Sequence, residues 1–153
     1  MKIALKLLWI ALLVLLPQAA CSGPFGPDYF EYTGEKAAAM VQKEFKDLPC
    51  QFSQVFYYAH RNGFPADPSM YYRFTVDKGC IDGYQQRYGF KAIDKPLPEI
   101  LQTIRPNRNW DWWQPEQVKQ YIYLEGRDDE GNNDYYLLYD TSLQLCFLYI
   151  QNG

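Results

Sequence analysis

The sequence predicts an α+β domain, and three observations carry that expectation. An apolar stripe at helical spacing stands early, made of Ala37, Met40, Val41, Phe45 and Leu48, with Lys and Glu between them. Period-two alternation of aromatic and β-branched residues fills the last third of the chain. Helical and extended signals are segregated along the chain rather than regularly alternating. The expected architecture is therefore an antiparallel sheet of about five strands, with an N-terminal helix and one or two further short helices packed on one face.

Taken in order, the chain opens on a basic head with Lys2 and Lys6, an unbroken apolar run over residues 7–16, and Pro17-Gln18-Ala19-Ala20 before Cys21. This is the three-part layout of an export signal. The ten-residue run is about half of the ~20 residues a membrane-spanning helix needs, so removal is expected rather than a permanent span. The ending Gln18-Ala19-Ala20-Cys21 resembles the lipobox of bacterial lipoprotein precursors. That resemblance implies that residues 1–20 are removed and that Cys21 becomes the mature N-terminus. It also implies a thioether-linked diacylglyceryl group on Cys21, usually with an N-acyl chain. At ~0.8 kcal/mol per buried methylene, one acyl chain anchors marginally and two or three anchor stably. In that family an Asp after the lipidated Cys signals inner-membrane retention. Ser22 stands there instead, which implies the outer membrane, facing the periplasm.

Residues 22–32 contain Gly23, Pro24, Gly26 and Pro27, which block regular structure and suit a spacer. The expected organisation is a signal peptide over 1–20, a flexible tether over 21–33 and one globular domain over 34–153. The helix carrying Ala37 to Leu48 follows and ends before Pro49. Residues 50–60 then alternate, with Val55, Tyr57 and Ala59 on one side and Phe56, Tyr58 and His60 on the other. A turn with Asn62-Gly63, Pro65 and Pro68 leads to a second strand over 70–76. Asp77 is a suitable N-cap for a helix that places Ile81, Tyr84 and Tyr88 on one face and stops at Gly89. Pro98, Glu99, Ile100, Leu101 and Ile104 read as a short helix ending before Pro106. Residues 120–125, 134–140 and 143–150 read as a three-stranded antiparallel meander.

Cleavage before Cys21 leaves 133 of the 153 residues, the size of one domain. Loss of Lys2 and Lys6 leaves 13 basic against 18 acidic residues, a net charge of −5, which argues against nucleic acid or anionic lipid as a main partner. The 14 Tyr, 9 Phe and three Trp beyond Trp9 supply ample material for a core. Once Cys21 is lipidated, Cys50, Cys80 and Cys146 remain, and in an oxidising periplasm two can pair. Cys146 shares a strand face with Leu148 and Ile150, as a small buried hydrophobe would. A Cys50–Cys80 disulfide is therefore expected.

Signals for catalysis are sparse. His60 is the single histidine, so any Ser-His, Cys-His or His-metal arrangement must use it, and a lone His at a strand end is more often a surface or hydrogen-bonded residue. No metal-type cysteine spacing is present, and neither a metal nor another cofactor is expected. The acidic run 127–134 resembles a calcium loop, but placing Gly131 at its sixth position puts Gly126 and Leu137 where acids belong. A solvated hairpin loop fits better.

The strongest candidate for recognition is the segment 105–115, with Arg105, Arg108, Trp110, Trp112 and Trp113, because Trp and Arg dominate binding hot spots. The competing reading is that one of these indoles plugs the edge of the core while the loop wraps the sheet. The pairs Tyr57-Tyr58, Tyr71-Tyr72 and Tyr135-Tyr136 put one ring on each strand face, so the second face is either covered or a docking surface. The leading functional expectation is a non-catalytic envelope lipoprotein, anchored to the membrane through Cys21. It would bind an envelope protein or a cell-wall component such as peptidoglycan, in the manner of an inhibitor or immunity factor. The alternatives are a small hydrolase acting through carboxylates and a structural tether.

Overall fold

A computed structural model of the chain describes residues 29–61 and 68–152. The export signal, Cys21 and the first part of the spacer lie outside the described residues, as do Asn62, Gly63 and Pro65 of the turn. Among the described residues the sheet has seven strands, all antiparallel, not about five. They are β1 (Tyr29–Thr33), β2 (Ser53–Arg61), β3 (Pro68–Thr75), β4 (Lys91–Ala92), β5 (Tyr121–Arg127), β6 (Asn133–Asp140) and β7 (Leu145–Asn152). Their order is β1-β2-β3-β7-β6-β5-β4. Both unforeseen strands are edges. β1 occupies the end of the expected spacer, where neighbouring Gly and Pro hid a five-residue strand, and β4 is too short at two residues to show a period.

The 50–60, 70–76 and C-terminal segments form the strands their alternation predicts. β7 lies at the centre because its residues Cys146 to Ile150 are buried on both faces, which only an interior strand allows. Among the described residues three α-helices connect the strands: α1 (Gly34–Glu44), α2 (Lys78–Tyr88) and α3 (Leu97–Thr103). α2 is capped as its sequence predicts. The Asp77 carboxylate accepts from the Cys80 backbone N–H at 3.0 Å, and Gly89 ends the helix at φ +66, a left-handed conformation that costs glycine little.

Helices cover both faces of the sheet, not one. On the first face, Ala37, Val41 and Phe45 of α1 and its C-cap, with Ile81 and Tyr84 of α2, pack on Tyr57, Ala59, Tyr72, Phe74, Leu148 and Ile150. On the second, Ile100 and Ile104 of α3 and its C-cap, together with Trp113 and Val118, pack on Tyr58, Tyr71, Tyr123, Leu138, Phe147 and Tyr149. The cause is the tyrosine doublets: each presents a ring to either side, so neither face can be left in water. Cys50 and Cys80 are disulfide-bonded with Cα atoms 5.6 Å apart, joining the segment after α1 to the first turn of α2. Cys146 is free and buried on the first face.

Candidate functional site

The segment linking α3 to β5 has no long regular element and instead lays three indoles on the second face. Trp113 is 6 % exposed and meets Tyr71 and Phe147 edge-on, at 5.2 Å from each. Trp110 is half-buried, 4.4 Å from Tyr58 and 5.2 Å from Tyr71. Trp112, also half-buried, stacks on Trp110 at 5.0 Å and on Phe56 at 5.6 Å, and the Arg73 guanidinium lies 5.3 Å from the Phe56 ring. Such offset and edge contacts contribute about 0.5–1.5 kcal/mol per pair beyond area burial. All three indole N–H groups are shielded and have no acceptor among the described residues. That arrangement costs about 1–3 kcal/mol for each unpaired donor, so ring packing must outweigh it.

The structure thus joins the two readings of this segment. Trp113 is core. Trp110 and Trp112 are its outer layer, half-open to solvent. The two arginines do not converge: Arg105 lines a groove beside the loop, whereas exposed Arg108 reaches toward β1, 5.9 Å from the Tyr29 ring. His60 sits half-buried at the β1 edge of the sheet, opposite Tyr29 in β1 and Ser69 in β3.

Two grooves of about 440 Å3 each flank the loop and share Asp111 and Gln114 as a common wall. The first has an apolar floor of Phe56, Trp112, Val118, Leu143, Leu145 and Phe147, rimmed by Arg73, Asp111, Gln114 and Gln117. The second, under α3, is more polar and includes Arg105, Asp111 and Glu116 beside Trp110 and Trp113. Leu143 is the residue that sequence reasoning placed wrongly. The 143–150 run reads as strand, but β7 starts at Leu145, and Leu143 stands in the β6–β7 turn with 59 % of its surface exposed. An aliphatic residue inside the polar turn Asp140-Thr141-Ser142-Leu143-Gln144 is the signal that could have found it.

The turn presenting Leu143 is held by buried Asp140. Its carboxylate accepts from Ser142 N at 2.8 Å, Ser142 Oγ at 2.6 Å, Leu143 N at 3.0 Å and Lys119 N at 3.2 Å, tying the turn to the end of the Trp-containing segment. Burial alone would raise the Asp140 pKa, but these hydrogen bonds prevail and hold it below the usual carboxylate value. Through Asp140 the turn that presents Leu143 is tied to the end of the loop. Compared with protein-family models, with curated proteins and with solved structures, the chain matches none.

Proposed function

We propose that this protein is a lipid-anchored envelope lipoprotein that turns nothing over and binds a protein partner through the first groove and the adjoining faces of Trp110 and Trp112. One observation carries the reading: an open apolar groove ending in exposed Leu143, beside an aromatic cluster and under a polar rim. Protein interfaces concentrate binding energy in such places, where an anchor side chain is desolvated inside a polar ring. Val118, Leu143 and Leu145 give the floor an aliphatic character, which suits an inserted apolar side chain better than the flat ring of a sugar.

Acylation of Cys21 is part of the same proposal. β1 begins eight residues beyond Cys21, and at ~3.3–3.6 Å per residue a chain of that length can span at most about 25–30 Å. A partner would then lie in the envelope layer next to the membrane. Radiolabelled fatty acid should enter the wild type and not Cys21→Ala, and equal labelling of both would refute the anchor.

The binding reading is tested by capture from envelope extract. Leu143→Asp should weaken capture tenfold or more without lowering the melting temperature, because Leu143 is mostly exposed. Trp113→Ala should instead cost about 3–5 kcal/mol of folding stability, as the loss of a core aromatic does. Undiminished capture by Leu143→Asp would overturn the assignment. A second reading, a carboxylate hydrolase, has one observation behind it: Asp111 and Glu116 line the same groove. Hydrolysis of a peptidoglycan substrate that is lost in Asp111→Asn would favour it.

A further inference from the structure

The first sheet face holds a second opening, about 270 Å3, between the end of α1, the end of α2 and the β5–β6 hairpin. Its walls are Tyr84, Tyr88, Phe90 and Tyr135, and Glu44 opens into it. The rings pack on one another, Tyr84 to Tyr88 at 4.7 Å, Tyr84 to Phe90 at 5.1 Å and Phe90 to Tyr135 at 5.3 Å, which fixes the walls. Gly126 permits that packing, because a methyl group there would collide with the Phe90 ring.

Glu44 is poorly placed for a negative charge. It is the last residue of α1, where the helix dipole disfavours an anion. Its carboxylate accepts from Tyr72 Oη at 3.2 Å, but it has no ion-pair partner among the described residues. Two nearby cations pair elsewhere, Arg87 with Asp47 and Arg127 with Asp134, both at 2.7 Å, and exposed Lys43 and Lys46 at the cavity mouth form no ion pair with Glu44. Burial raises the Glu44 pKa, and the Tyr72 hydrogen bond and neighbouring Lys43 offset only part of that. Its charge in turn, after burial, helps push Tyr57 and Tyr135 up to about 12, so these phenols stay neutral.

We propose that this cavity binds a small organic ammonium group, with Glu44 supplying the countercharge and Tyr88, Phe90 and Tyr135 the aromatic walls. An alkylated ammonium is the cation that π-faces attract most effectively, since its charge is spread over a weakly hydrated surface. A desolvated carboxylate that has a hydrogen bond from Tyr72 but no ion pair completes the site, and the bound cation relieves its electrostatic penalty. The rim is mixed in charge, with Lys43, Lys46 and Arg127 beside Asp128 and Asp129, so selection for the cation falls to the inner wall.

Calorimetric titration of the intact chain with choline and with its neutral isostere 3,3-dimethylbutan-1-ol tests the site. Choline should bind at least tenfold more tightly than the isostere. Glu44→Gln and Tyr88→Leu should each weaken choline binding at least fivefold. Phosphatidylcholine vesicles, presenting the same group on a lipid, distinguish a headgroup from a soluble ligand: capture of the vesicles assigns the former, and binding of choline alone the latter. Equal affinity for choline and the isostere in the wild type, or undiminished choline binding by Glu44→Gln, would overturn the proposal. Because the site is on the sheet face opposite Leu143, its failure leaves the protein-binding reading untouched.

Discussion

Glu44 and Asp140 show how the same functional group is handled in opposite ways. Glu44 has a folded pKa raised above its unfolded value, so its favourable contribution is present at low pH and lost as pH rises through the folded pKa. Glu44→Gln is therefore expected to equal or exceed the wild type in urea stability at pH 7. That advantage should shrink as the pH falls below the raised pKa and the wild-type carboxyl protonates. A Glu44→Gln protein markedly less stable at pH 7 would show that the ionised carboxylate is well paired. Asp140 behaves in the reverse sense: its folded pKa is depressed, so its contribution is full above the unfolded pKa and is lost as pH falls through the folded one. Asp140→Ala leaves the Ser142, Leu143 and Lys119 donors without their acceptor, and should cost about 1–3 kcal/mol at neutral pH. The cost should diminish in acid, as denaturation midpoints measured at both pH values would show.

At the scale of elements, legibility in the sequence followed period and length. α1, α2, β2, β3 and the β5-β6-β7 meander each carry several turns or several alternations, so their apolar faces are visible in the chain. Asp77 and Gly89 even mark the ends of α2 correctly. β1 and β4 are edge strands whose pairing depends on partners distant in sequence, and five and two residues carry too little pattern. The three tryptophans were visible as a cluster, but their division into a core ring and two half-open rings depends on where Tyr58, Tyr71 and Phe56 stand across the sheet. The first groove was not legible, since Phe56, Val118 and Leu143 come from three separate segments. The Cys50–Cys80 bond was, because Cys146 shares a face with buried aliphatics. Closing its loop of sequence separation 30 should stabilise the domain by about 3–4 kcal/mol on the chain-entropy estimate, so Cys50→Ala should lower the melting temperature by several degrees.

For the whole molecule, the tyrosine doublets make a sheet with two apolar faces, and the chain covers them by different means. α1 and α2 pack on the first face, with the small aromatic cavity beside Glu44 between their ends. Seven-residue α3 and an irregular aromatic loop cover the second, which leaves grooves on either side of the indoles. Partner binding through that second face is tested most directly by photo-crosslinking in the intact envelope, with a photoreactive residue at Leu143 or at exposed Gln86 on α2 as the control. Crosslinking of a discrete protein from position 143 and not from 86 is the expected result. Crosslinking from position 86 alone, or the same products from both, would contradict it.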